Sequence, residues 1–226
     1  MINALILAPE ITKGMKSFGS KSLLEIKKKI SIIEYQISAL KDIDKNISIT
    51  TAIGFESEKI LPVLDKHGVK HTYNPEYKNT NQSYSLKIFL EDNPSIDNLL
   101  IINNGILFKK KTVTKNMLSG VSKIFVLDKM KENFSLGCSQ QEKIEYIFYD
   151  LPELWSECVY LNLEAIDTIK YAILHNQVNQ MYLFELINKA INLEQTFQKE
   201  HINKKNIMKI NTYLNNFSRL RDLIQL

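Results

Sequence analysis

The sequence predicts an α/β protein: a mostly parallel, Rossmann-like sheet flanked by helices, with a small antiparallel β extension and helices towards the C-terminus. Three observations predict it. The largely apolar runs at 2–8 and 99–102 have the composition of strands buried on both faces. The segments between such runs carry apolar residues at helical spacing. Strand and helix signals then alternate over the first 128 residues, the order that generates a parallel sheet with helices on both sides.

Each element has its own signal. Strand 2–8 runs into a loop, 9–20, that contains Gly14 and Gly19. Ser31 is an N-cap with Glu34 three residues on, a capping-box spacing, and Ile32, Ile33, Ile37 and Leu40 give the inner face of a helix over 31–43. A strand at 47–53 stops at Gly54, a helix over 56–66 turns Ile60, Val63 and Leu64 inward, and a short strand, 69–73, meets the Asn74-Pro75 turn. The polar stretch 79–86 becomes a helix to about Glu91. Strand 99–102 ends at Asn103-Asn104-Gly105, a helix is expected over 111–119, and a strand over 123–127. Beyond it, 134–138 and 144–149 read as paired strands, 158–163 as a further strand, 164–174 and 180–194 as helices, 207–210 as a last strand and about 213 onwards as a terminal helix. No linker or repeat divides the 226 residues, so one domain, 1–226, is expected, in two parts: 1–128 with alternating strands and helices, and 129–226 with the antiparallel extension and the C-terminal helices.

Composition narrows the function classes. A chain that is 44% hydrophobic and 24% charged can bury a sizeable core and is neither disordered nor a disulfide scaffold. No apolar run reaches the length of a membrane span, and two cysteines, Cys138 and Cys158, suit a reduced, cytoplasmic setting. The net charge of +4 is carried by lysine; Arg219 and Arg221 are the only arginines. Nucleic-acid binding is therefore not expected, because bidentate phosphate and base recognition falls mainly to arginine. His67, His71, His175 and His201 have no metal-ligand spacing, and neither a Walker motif nor a GxSxG elbow occurs.

In open parallel sheets ligands bind beyond the carboxyl ends of the strands, which directs attention to 8–21, 54, 74–85, 103–108 and 156–160. There the residues Leu5-Ile6-Leu7-Ala8, a loop, and Lys21-Ser22-Leu23-Leu24-Glu25-Ile26 resemble an I-L-A-A-G-x-G-x-R … P-K-x-L-L-x-V opening. Ala52-Ile53-Gly54-Phe55 resembles V-x-G-Y, and Asn74-Pro75-Glu76-Tyr77 with Thr80-Asn81 and Ser85-Leu86 resembles N-P-x-Y…T-N…S-L. Ile210-Asn211-Thr212 resembles I-D-T. Together they resemble the nucleotidyltransferase family of GT-A-like fold, nearest its small cytidylyltransferases of phosphocholine and related phosphorylated molecules. The resemblance implies CTP or another nucleoside triphosphate and Mg²⁺ as cofactors, if the chain is active.

The same comparison shows losses. The motif glycines fall on Glu10 and Thr12 and the arginine on Gly14, while the two metal-binding carboxylates fall on Gly105 and Asn211. Pro9 removes a backbone donor from the loop. Lys21 keeps the position of the family's lysine and is the candidate catalytic residue. Ala8, Lys13, Asn74, Asn79, Asn81, Ser83, Ser85 and Asn104 are the candidate ligand-binding residues. Asx turns and an N-cap explain the 74–85 group equally well. The expectation is a nucleotidyltransferase-like protein, catalytically degenerate, that binds a nucleotide or phosphorylated small molecule or supports an active partner. A divergent active transferase for cell-surface polysaccharide or lipid head-group synthesis is the alternative, with Lys13 and Lys21 as phosphate cations and Glu10 or another nearby carboxylate recruited to the metal. Apolar stripes at Phe184, Leu186, Ile187 and Ile191 and at Phe217, Leu220, Leu223 and Ile224 read as core, or as an interface in a homo- or hetero-oligomer.

Overall fold

A computed structural model of the chain describes residues 1–11, 19–27, 29–127, 135–139, 141 and 143–210. Lys13, Asn211 and the terminal helix expected from about 213 lie outside these residues.

β1 (Asn3–Ala8) is the centre of the sheet. It pairs in parallel with β4 (Ser48–Ile53) on one side and β6 (Asn98–Asn103) on the other, and β5 (Lys70–Tyr73) extends β4 in parallel. The apolar run of β1 follows from its burial: Leu5 and Leu7 join one core, Ala4, Ile6 and Ala8 the other. α1 (Ile32–Ile43) and α2 (Ser57–His67) cover the second face, while α3 (Gln82–Asp92), α4 (Leu163–His175) and α5 (Leu183–Asn192) cover the first. The result is a three-layer α/β/α sandwich. The Ser31–Glu34 capping box forms as the spacing required, with Ser31 N–H donating to Glu34 Oε2 at 2.9 Å.

The second half of the chain joins this sheet through β11 (Glu153–Asn162), antiparallel to both β6 and β8 (Lys123–Leu127). β9 (Leu136–Cys138) pairs with β10 (Ile147–Tyr149) and with the start of β11. β12 (Gln198–His201) runs parallel to β8 at the far edge, completing nine strands among the described residues. Two small ribbons stand apart: β2 (Glu25–Lys27) with β3 (Ile30–Ser31), and β7 (Ile106–Phe108) with β13 (Ile207–Lys209).

Several expectations are corrected. The segment 111–119 is not a helix; it holds only a 3-10 turn at Lys115–Met117, after Lys111 at φ 63° and the β-branched run Thr112-Val113-Thr114. Such residues lose side-chain freedom in a helix. β11 begins five residues before the expected start, and β2, β3, β7 and β12 carry too little hydrophobic alternation to be read beforehand. Among the described residues no helix is long and apolar enough to cross a membrane.

Candidate functional site

The carboxyl ends of β1 and β6 open into a cleft of about 310 Å³. Two loop contacts shape its floor. After β1, the Pro9 carbonyl accepts from Phe55 N–H at 3.0 Å, so the chain crosses directly over Gly54. A Cβ on Gly54 would stand 2.6 Å from Tyr77 Cβ and 2.8 Å from the Pro9 oxygen, which is why glycine sits there. Glu10 then turns its side chain into the cleft. Where the chain is described again, Ser20 N–H donates to Glu56 Oε2 at 2.6 Å and delivers Lys21 at the head of a 3-10 turn.

Lys21 lies against Gly105. Its Nζ is 3.1 Å from the point a Cβ on that residue would occupy, and Gly105 holds φ 89°, a conformation that side chains rarely adopt. The turn carrying Gly105 is held at both ends by buried Gln36 of α1, whose Nε2 donates to the carbonyls of Asn103 (3.0 Å) and Ile106 (2.9 Å). Asn104 N–H donates to the Leu7 carbonyl and its Nδ2 to Ser22 Oγ at 3.1 Å.

A bulge in β11 supplies the opposite wall. The register shifts between Trp155 and Val159, and Glu157 takes φ 59°. Its carboxylate thereby accepts from Asn103 Nδ2 at 2.8 Å and pairs with Lys209 of β13. Trp155 closes the base, with Nε1 donating to the Cys158 carbonyl at 3.1 Å. Tyr149, Tyr182 and Phe184 make an aromatic wall: Tyr182 and Phe184 are stacked at 6.1 Å and 16°, and Tyr149 meets Phe184 edge-on at 6.1 Å. Tyr182 and Tyr149 stay nearly half exposed, so their ring surfaces are open to a ligand.

The cleft thus contains two carboxylates, Glu10 and Glu157, and two ammonium groups, Lys21 and Lys209. Burial pushes the Glu10 carboxyl above its ordinary range, opposed by Lys21, a hydrogen bond from Gln82, and Lys209. Burial pushes Lys21 down, opposed by Glu10. Three oxygens of cleft-lining residues, Glu10 Oε1, Asn103 Oδ1 and Asn104 Oδ1, are shut off from solvent with no hydrogen-bond partner among the described residues.

Of the residues singled out from sequence, Ala8, Lys21 and Asn104 line the cleft. The 74–85 group lies beside it and bonds within the protein. Asn74 Nδ2 donates to Thr80 and Ser85, and its Oδ1 accepts from Glu76 N–H, forming an Asx turn. Asn79 accepts from Gln180, Asn81 donates to the Gln180 carbonyl, and Ser83 donates to the Tyr182 carbonyl. These bonds seat the start of α5, and with it Tyr182; Gln82 is the residue of this segment that reaches the cleft. Lys209, Tyr149 and Tyr182 are not legible as site residues in the sequence, and Glu157 falls only within the 156–160 strand end: the bulge in β11 turns Glu157 inward, the β7–β13 ribbon brings Lys209, and β10 and the start of α5 bring the two tyrosines.

Comparison with solved structures places this architecture. The CTP:phosphocholine cytidylyltransferase of Streptococcus pneumoniae superposes with a TM-score of 0.84 at 20% identity over 99% of both chains. The inositol-1-phosphate CTP transferase of T. maritima superposes at 0.75 and 13%, over 99% of this chain and 96% of that one. The chain has a nucleotidyltransferase fold. A nucleoside-diphosphate-sugar pyrophosphorylase from Vibrio cholerae agrees, at 0.73 and 11% over 97% and 99%. No protein-family model and no curated protein matches the sequence.

Nucleotidyltransferase chemistry calls for a divalent cation, and the described residues at Gly105 and Glu157 do not fit one. No group of three or more His, Cys, Asp or Glu side chains could hold a metal among the described residues. Glu157 is already paired with Lys209, and Lys21 places an ammonium over Gly105. A hard dication needs anionic oxygen there; it would meet like charge instead.

Proposed function

We propose that this chain is a nucleotidyltransferase-fold protein that binds a nucleotide or phosphorylated small molecule in the cleft and does not carry out metal-dependent nucleotidyl transfer. The observation that carries this reading is the Lys21 ammonium standing over Gly105, where a nucleotidyltransferase would present a carboxylate to its metal. Lined by Lys21 and Lys209 and by aromatic rings, the cleft suits a ligand with a phosphate and a flat or cationic head group. Aromatic faces attract ammonium groups through the ring quadrupole. CTP and phosphocholine, the compounds named for the pneumococcal neighbour, are accordingly the first ligands to test.

The test is a thermal-shift screen of CTP, UTP, GTP, ATP and dTTP, with and without phosphocholine, alongside a pyrophosphate-release assay in Mg²⁺. A ligand at a hundred times its Kd stabilises by about 2.7 kcal/mol, roughly 5–10 °C for a chain of this length. The expected result is a ligand-dependent shift without pyrophosphate release. Robust Mg²⁺-dependent release would establish the active transferase instead.

A further inference from the structure

We propose that Lys21 is a resident cation that takes the ligand's phosphate without a divalent metal, and that Glu10 is the anion the phosphate displaces. This rests on the binding reading above and adds how the charge of the ligand is met. The two lysines of the cleft are not equivalent. Lys209 is committed to Glu157 by a direct ion pair, and Glu157 is further fixed by Asn103. Lys21 instead lies over Gly105, where the absence of a side chain leaves room for its ammonium. The negative charge acting on it is that of Glu10.

Glu10 is the weakly held partner. It accepts from Gln82, but its Oε1 is buried without a hydrogen-bond partner among the described residues. A carboxylate with one oxygen uncompensated is costly to bury, and the neighbouring ammonium offsets that cost. A phosphate brings more charge and more acceptor oxygens to the same ammonium, so it competes with Glu10 and is repelled by it. Among the described residues the charged groups around Glu10 are Lys21, Lys209 and, through Lys209, Glu157. Among the described residues, Glu10 is the carboxyl of this group that no direct ion pair holds.

The experiment measures binding of the five nucleoside triphosphates, of phosphocholine and of inorganic pyrophosphate by calorimetry, each in EDTA and in Mg²⁺, for the wild type, Glu10→Gln and Lys21→Gln. The expected result is binding of equal affinity in the two buffers. Removing the competing anion in Glu10→Gln should tighten binding by about tenfold, and removing the cation in Lys21→Gln should weaken it by at least about tenfold. Glu10→Gln keeps the side-chain shape and discards a buried charge, so it decides the question even where Lys21→Gln does not fold. Binding that requires Mg²⁺, or that weakens in Glu10→Gln, overturns the inference and leaves the binding reading standing. Absence of binding by every probe overturns both.

Discussion

Replacing Gln36 with leucine tests how the sheet positions the cleft. Gln36 is 1% exposed and spans the turn that carries Asn104 and Gly105, donating one Nε2 group to two buried carbonyls, those of Asn103 and Ile106. Leucine fills nearly the same volume, so the effect is polar rather than steric. It leaves two buried acceptors short of a donor, at about 1–3 kcal/mol each. Against this, it removes Gln36 Oε1, which is itself buried without a partner among the described residues and whose loss returns about 1–2 kcal/mol. The net expectation is a loss of about 2 kcal/mol, or a fall of roughly 4–8 °C in Tm for a chain of this size. Urea denaturation followed by circular dichroism reads it, with the m-value unchanged. A stability change under about 0.5 kcal/mol, or a gain, would refute the claim that this side chain holds the turn. Because Lys21 lies against the same turn, any ligand binding at the proposed site should weaken in step with stability.

Two further outcomes follow from the geometry. Gly54→Ala forces a methyl group against Tyr77 Cβ and the Pro9 oxygen, at 2.6 and 2.8 Å, and is expected to cost about 1–3 kcal/mol; an unchanged urea midpoint would show that the two loops do not approach so closely. Glu34 has its carboxyl held down to about 2, first by the Ser31 N–H, against burial, then by the Ser31 hydroxyl, Lys66 and His67. Its folded value lies below its unfolded one, so its contribution is present above the ordinary carboxylate range and is lost as pH falls from about 4.5 to about 2. Glu34→Gln should therefore cost about 1 kcal/mol at neutral pH, and the difference from wild type should vanish on acidification; a pH-independent difference would remove the carboxylate as its source.

Local signals were strong where one physical rule dominated. The apolar run of β1 reports burial on both faces, and Ser31 with Glu34 reports a helix start, because both depend on neighbours in the chain. Lys21, singled out by the family resemblance, and Asn104, at a strand end, both line the cleft. Asn81 and Ser83 show the converse. Their polarity drew attention to them, and their bonds to the Gln180 and Tyr182 carbonyls go to a segment about a hundred residues away. A polar side chain in a loop looks the same in sequence whether it awaits a ligand or a distant backbone oxygen. The segment 111–119 was misread for a related reason: short mixed-polarity stretches have no period strong enough to outweigh their β-branched residues.

By itself the sequence determined the alternation of strands and helices, the parallel centre of the sheet, the edge at which a site would lie and the absence of an acid at position 105. Those properties follow from periodicity, capping and residue identity, which are local. Tertiary structure alone decided what fills the cleft. The bulge that turns Glu157 inward, the ribbon that brings Lys209 to meet it, the approach of Lys21 to Gly105 and the wall of Tyr149, Tyr182 and Phe184 all depend on pairings between residues far apart in the chain. Charge balance in a buried site is set by distance in space, and distance in space is what the fold supplies.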